Sequence, residues 1–276
     1  MSKNLKMGII SHGFVGKAVD YGFNHPNITK FIVDPNYNYP IENVPESLDI
    51  AFVCAPTPMG KDGVIDGSIV ESAVKYLVEN TKNCLIVVKS TVTPDIIASF
   101  GDSIVYNPEF LTESRANEDF VNPIMHVFGG TFDKTKAVER IYEQYSACKP
   151  CPVYHMSTID ASFVKYGINS FLATKVVWFN QFYDLIAKEG GNFNKIVSAV
   201  GTDKRVGPSH TNVPGWDGRR GAAGACFAKD IPAFIHFSEK EFSILREAWN
   251  VNCDYRTSYD DALPREIAQH IKFDKI

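Results

Sequence analysis

Residues 7–19 constrain the fold more than any other stretch of the chain. An apolar run, Met7-Gly8-Ile9-Ile10, enters Ser11-His12-Gly13-Phe14-Val15-Gly16, and Lys17-Ala18-Val19 then starts a helical pattern. Strand, glycine turn and helix in that order point the free N–H groups of a helix N-terminus at a phosphate. That context turns a glycine motif into a dinucleotide fingerprint. Ser11 holds the first glycine position of G-x-G-x-x-G, where it either narrows the turn or donates its hydroxyl to the cofactor. A second strand, Lys30-Phe31-Ile32-Val33, closes on Asp34 at about the distance of a ribose 2′-hydroxyl partner. A carboxylate there repels a 2′-phosphate, so NAD is expected rather than NADP; capping the turn before Pro35 is the other use open to Asp34.

Further strand-like runs, Ile50–Cys54, Cys84–Val88, Ser103–Tyr106 and Met125–Gly130, alternate with helical patterns to about residue 155. Such alternation predicts a Rossmann-like, doubly wound parallel sheet over residues 1–155. Three loops would sit at the carboxyl edge of that sheet, where ligands bind. They are Pro56-Thr57-Pro58, Lys89-Ser90-Thr91 and Asn107-Pro108-Glu109-Phe110-Leu111-Thr112-Glu113-Ser114. Glu109 and Glu113 share a face if their turn is helical.

Past Thr158 the period changes. Ile159 to Glu189 reads as one helix with an apolar face through Phe163, Tyr166, Phe171, Val176, Phe179 and Leu185, ended by Gly190-Gly191. At about 1.5 Å per residue it spans more than ~40 Å and can bridge domains or subunits. Lys165 and Asn169, at i and i+4, point the same way, either as paired donors for an oxyanion or as surface residues. Helices are also expected over Asn192–Val200, from a capping box Ser238-Glu239-Lys240-Glu241 to about Val251, and over Pro264–Ile271. Residues 156–276 therefore form an all-α domain. Within it, the loop Pro214–Arg220 has a glycine, aromatic and arginine content that suits a sugar or a phosphate.

The stretch Gly221-Ala222-Ala223-Gly224-Ala225-Cys226-Phe227-Ala228-Lys229-Asp230 carries the most chemistry. Small residues let a ligand approach a lone thiol, and charge stands just behind it. Cys226 is thus a candidate nucleophile, although a cysteine also packs as a small hydrophobe. The formal charge of −4 shows no basic excess for nucleic acid or an anionic membrane. No apolar run approaches the ~18 residues of a spanning helix, and Met1–Lys6 leads into a strand rather than a signal core, so a cytoplasmic location is expected. Cys148-Lys149-Pro150-Cys151 could serve as a redox pair or half a zinc site, but no second pair completes a zinc site and the following residues read as a strand, so no metal is expected.

Taken in order, Gly13-Phe14-Val15-Gly16, Pro56-Thr57-Pro58, Asp62-Gly63 with Asp66, Lys89-Ser90-Thr91-Val92 and Asn107-Pro108-Glu109-Phe110-Leu111 with Glu113 make a recognisable series. Lys165 with Asn169, Asp203 with Arg205 and Gly207, and Cys226-Phe227-x-Lys229-Asp230 complete it. From the first strand to about residue 252 the chain resembles the UDP-glucose/GDP-mannose dehydrogenase family. Enzymes of that family oxidise a sugar C6 alcohol to a carboxylate in two hydride transfers to NAD, through a thiohemiacetal and a thioester on a cysteine. The resemblance implies a nucleotide sugar, UDP-glucose above all, or a sugar phosphate as substrate, and a homodimer through the long helix.

It also implies Cys226 as nucleophile, with Lys165, Asn169, Asp230, Glu109 and Thr91 as catalytic partners. Ser11, Gly13, Phe14, Val15, Gly16, Asp34, Thr57, Thr91 and Glu113 would meet the cofactor. Glu109, Phe110, Leu111, Glu113, Lys165, Asn169, Arg205 and Gly221 would meet substrate. Ser11 stands where the family has glycine, Ala222-Ala223-Gly224-Ala225 where it has F-G-G-S, and Ala228 where it has proline. Few residues follow Asp230, so a short form without the family's C-terminal nucleotide-binding domain is expected. The alternatives are a two-electron hydroxyacid dehydrogenase of the 6-phosphogluconate type, which has no need of Cys226, and an NAD-binding protein without turnover.

Overall fold

The computed structural model describes residues 4–276. It consists of two compact units, Met1–Thr57 with Asp66–Lys165, and Pro58–Ile65 with Tyr166–Ile276. In the first, β1 (Leu5–Ile10), β2 (Ile28–Val33), β3 (Ile50–Val53), β4 (Leu85–Val88), β5 (Ile104–Tyr106), β6 (His126–Gly129) and β7 (Val153–Met156) form one sheet. Their order is β2-β1-β3-β4-β5-β6-β7. β1 to β5 are parallel. All four residues of β3 are buried, as a strand covered on both faces requires. The expectation of a parallel sheet needs one correction: β6 meets β5 antiparallel through a single pair, Tyr106 with Gly129, and β7 then runs parallel to β6.

Helices α1 (Phe14–Gly22), α2 (Ser68–Asn80), α3 (Pro94–Ser99), α4 (Ala116–Val121) and α5 (Phe132–Tyr145) alternate with the strands. One face of the sheet packs an aromatic group in which Phe23 lies 5.1 Å from Phe52 and 5.0 Å from Tyr142 between ring centroids. α1 crosses α4 so closely that a Cβ at Gly22 would sit 2.1 Å from the Phe120 ring.

α6 (Thr158–Lys188) starts in the first unit and continues in the second, a 31-residue helix that matches the long periodic run. The second unit adds α7 (Phe193–Thr202), capped by the Asn192 side chain, α8 (Gly224–Phe237), α9 (Ser243–Arg256) and α10 (Pro264–Ala268). Its core joins Tyr166, Ala228, Ile231, Ile235, Leu245, Trp249 and Cys253.

The capping box expected at Ser238 is absent. Glu239 and Lys240 take φ of 51° and 67°, and Lys240 N–H donates to Ile235 O at 3.0 Å. These residues therefore end α8 with left-handed geometry instead of starting a helix. α9 begins only at Ser243 and runs past Val251 to Arg256. Among the described residues no helix is long and apolar enough to cross a membrane, and no cluster of His, Cys, Asp and Glu could hold a metal ion.

Candidate active site

The turn after β1 is set by backbone geometry. Ser11 N–H donates to Val33 O at 2.8 Å, and Ser11 takes φ of 72°, the left-handed conformation a glycine would adopt freely. A Cβ on Gly16 would fall 2.1 Å from Ser11 O, so α1 packs against the turn only without a side chain there. Gly13, the N-cap of α1, has nothing within 4 Å of its missing Cβ and makes no side-chain cap bond. Open space at this helix N-terminus, where Gly13 offers no capping side chain, fits the pyrophosphate of a dinucleotide. Phe14 and Val15 are the first helical residues.

Asp34 serves the turn as well. It is 4 % exposed, and its two oxygens accept from Asn36 N–H at 2.9 Å and His12 N–H at 2.8 Å. The capping role therefore exists beside any role toward ribose. His12 is itself tied at 3.0 Å to Asp20, which pairs with Lys30 at 2.6 Å.

At the ends of β3 and β4, Thr57, Lys89, Ser90 and Thr91 are all buried, and Ser90 Oγ donates to Ala55 O at 2.7 Å, fastening the two loops together. Among the described residues no carboxylate forms an ion pair with Lys89. Its Nζ donates to Asn107 Oδ1 at 2.9 Å, the atom that also accepts from Tyr142 Oη at 2.8 Å. Burial holds the Lys89 ammonium below its ordinary pKa. Burial, and then the Lys89 charge, push His126 down to about 4.

Asn107 to Thr112 is not helical, and the first helical turn begins only at Glu113. Glu109 and Glu113 thus share no helix face. Glu109 is buried and Glu113 exposed. Glu109 is drawn instead to α6: Lys165 Nζ donates to its backbone oxygen at 2.6 Å and lies 3.3 Å from Oε1. Leu111 N–H binds the other carboxylate oxygen at 2.7 Å, and the Phe110 ring centroid is 5.5 Å from Lys165 Nζ. Buried Glu109 and half-buried Phe110 and Leu111 line a cavity of about 140 Å³ together with Lys89, Asn107, His126 and Tyr142.

In the second unit, Asn169 Nδ2 donates to Asp230 Oδ2 at 2.7 Å, and Lys229 Nζ reaches Asp230 Oδ1 at 2.5 Å. Asp230 is fully buried and Lys229 is 8 % exposed. Cys226 stands in the first turn of α8, partly exposed, after Gly221 at φ 86° and Gly224 at φ 84°. Arg205 is exposed and paired with Asp203 at 2.6 Å.

The loop arginines bind protein rather than standing open to a phosphate. Arg219 pairs with Asp261 at 2.7 Å, and Arg220 reaches Asn180 and Asp184 at 2.7 and 2.9 Å. Sequence reasoning missed Asn180, Asn252, Arg256 and Glu266, whose roles appear only in the folded chain. The available signal was polar residues on an apolar stripe: Asn252 and Arg256 share the buried face of α9 with Leu245, Trp249 and Cys253.

Two family models match, the NAD binding domain of the UDP-glucose/GDP-mannose dehydrogenase family over residues 36–146 and its central domain over 160–254. A UDP-glucose 6-dehydrogenase of Rickettsia conorii is 35% identical over 74% of this chain and 47% of its own length. The chain thus spans about half the length of the curated relatives it matches. A UDP-glucose dehydrogenase structure from Pyrobaculum islandicum superposes with a TM-score of 0.77 at 26% identity, over 91% of this chain and 68% of that one. A Mycobacterium tuberculosis 3-hydroxyisobutyrate dehydrogenase shares the fold at TM-score 0.70 and 13% identity, over 96% of this chain and 98% of the other.

Proposed function

From the premise that the chain belongs to the UDP-glucose/GDP-mannose dehydrogenase family, we propose that it oxidises the C6 primary alcohol of a nucleotide sugar to the uronic acid. UDP-glucose is the first substrate to try, and NAD the electron acceptor. One observation carries the reading. α6 presents two buried polar groups one turn apart, Lys165 on Glu109 and Asn169 on Asp230. Polar and charged groups this deep cost folding energy unless they are paired, and both pairs lie on the residues the proposed chemistry uses.

The residues divide the work. Ser11 and Gly13 to Gly16 would hold the pyrophosphate and Asp34 the ribose, with Thr57, Thr91 and Glu113 toward the nicotinamide end. NAD bound there supplies a two-electron acceptor for each oxidation. Phe110, Leu111 and Gly221 would hold the sugar. The Cys226 thiolate adds to the aldehyde carbon, so that a C–S bond forms and the carbonyl electron pair moves to oxygen. Lys165 and Asn169 hold that oxygen by donating hydrogen bonds. After the second oxidation Glu109 takes a proton from water placed by Thr91 and Asp230. The water oxygen bonds to the thioester carbon, and the thiolate leaves as the C–S bond breaks.

Residues 1–155 would act as the cofactor domain and 156–276 as the helical domain with the nucleophile. Phe163, Phe171, Trp178 and Leu185 are exposed along α6, which supports a homodimer on that helix, with Arg205 reaching the partner's site in a cytoplasmic enzyme. The test is incubation with NAD and a panel of UDP-, GDP- and phosphate-linked sugars. Two NADH per acid are expected, and no NADH on any sugar removes the proposal. An undiminished Cys226→Ala protein would favour two-electron hydroxyacid chemistry.

A further inference from the structure

The backbone that delivers Cys226 is gripped by side chains on both sides of the family-matched region's end at residue 254. Asn252, 1 % exposed on α9, accepts from Ala222 N–H at 2.6 Å and donates to Ala222 O at 3.1 Å. Its carboxamide thus pairs with one residue as a neighbouring strand would. Gly221 takes φ of 86°, the left-handed region that favours glycine, and a Cβ there would also press on Asn252 Oδ1 at 2.7 Å. Gly221 N–H is taken by Asn180 Oδ1 at 3.1 Å.

A second grip comes from α10. Glu266, 1 % exposed, accepts from Arg256 at 3.1 Å and caps its own helix through Leu263 N–H at 2.9 Å. Its Oε1 also faces Gly224 N–H, the first amide of α8, at 3.5 Å. Arg256 carries the tie back to the loop by donating to Asp217 at 2.7 Å. Asp217, Gly221, Ala222 and Gly224 are therefore all held, and Cys226 follows two residues later.

We propose that Asn252 and Glu266 are positioning residues for the Cys226 thiol, and that α10, beyond the family-matched region, completes the nucleophile's support. The inference rests on Cys226 being the nucleophile. Buried hydrogen bonds of this kind rigidify a segment only when every partner is present, and an orphaned amide is costly. Removing one grip should displace the thiol by the fraction of an ångström that catalysis does not tolerate, while leaving groups that bind substrate from elsewhere.

The test uses Asn252→Ala, Glu266→Ala and Glu266→Gln, with two readouts below each variant's melting temperature. One is the split between kcat and KM on the best sugar from the panel. The other is the rate of iodoacetamide alkylation at Cys226, resolved from the other cysteines by peptide mass spectrometry. Asn252→Ala and Glu266→Ala are expected to lower kcat at least ~10-fold with KM within ~3-fold, and to change Cys226 alkylation at least ~3-fold. Glu266→Gln keeps one acceptor oxygen, enough for Arg256 and Gly224 N–H while the bond from Leu263 N–H is lost, and should recover part of both. Alkylation unchanged in the folded variants, with activity lost only in proportion to melting, would overturn the proposal. Should no sugar give NADH, the assignment of Cys226 fails while the alkylation rates still report on the grip.

Discussion

The turn after β1 and the loop before α8 each deliver backbone to a proposed site, and they are held by opposite means. The first is fixed locally. Ser11, Gly13 and Gly16 shape it through φ angles and a missing Cβ, with bonds from Ser11 N–H to Val33 O and from His12 N–H to the Asp34 carboxylate at the end of the neighbouring strand. The second is fixed from a distance. Asn180 on α6, Asn252 and Arg256 on α9 and Glu266 on α10 reach a loop that has no regular structure of its own. A turn of the first kind suits a constant ligand such as a dinucleotide. A loop of the second kind makes the reactive residue depend on how completely the helices around it have packed.

The largest effect expected from breaking this contrast is at Arg256. Arg256→Met strands Asp217 and Glu266, both almost fully buried, without a cation. Losing one member of a buried ion cluster costs about 3–5 kcal/mol, and chemical denaturation should show it. A further Glu266→Gln change in that background should return part of the loss, and no recovery would mean that charge is not the cause.

Next is Gly16→Ala. Its Cβ would meet backbone at 2.1 Å, which cannot move aside as a side-chain tip can. About 1–3 kcal/mol of stability should go, together with most NAD affinity measured by calorimetry. Normal NAD binding by this variant would break the account of the turn.

These two sites also show what was legible beforehand. Gly13, Gly16, Asp34 and the strand and helix alternation announce themselves because local geometry needs those residue types at short spacing. Glu109 and Lys165 lie 56 residues apart and meet only through the packing of α6. Asn252 and Glu266 read as ordinary helical polar residues until the fold turns them inward. The capping box at Ser238 was misread for a related reason. Its residues match a helix start, yet they serve the left-handed end of the helix before it.

Acid sensitivity sharpens the comparison on the first unit alone. His126 is held neutral, its pKa pushed down to about 4 by burial and then by Lys89, whereas the unfolded chain protonates it near 6.5. The unfolded state binds the extra proton first. Stability should therefore fall as pH drops from about 6.5 toward 4 and level off below that, by about 2 kcal/mol after allowing for partial exposure. His126→Phe should flatten that part of the pH curve, and an unchanged slope would assign it elsewhere. The smallest effect is at Ser11. Relieving its left-handed conformation with Ser11→Gly should raise stability by about 1 kcal/mol in thermal melts. A loss of stability would show that the serine side chain supports the turn.

The most direct test of the central claim is to quench the protein in mid-turnover with NAD and UDP-glucose and weigh the peptide that holds Cys226. A sugar-nucleotide adduct on that sulfur, absent from Cys226→Ala, is the predicted result. An unmodified Cys226 peptide at every quench time, while NADH accumulates at one per molecule of product, would contradict it.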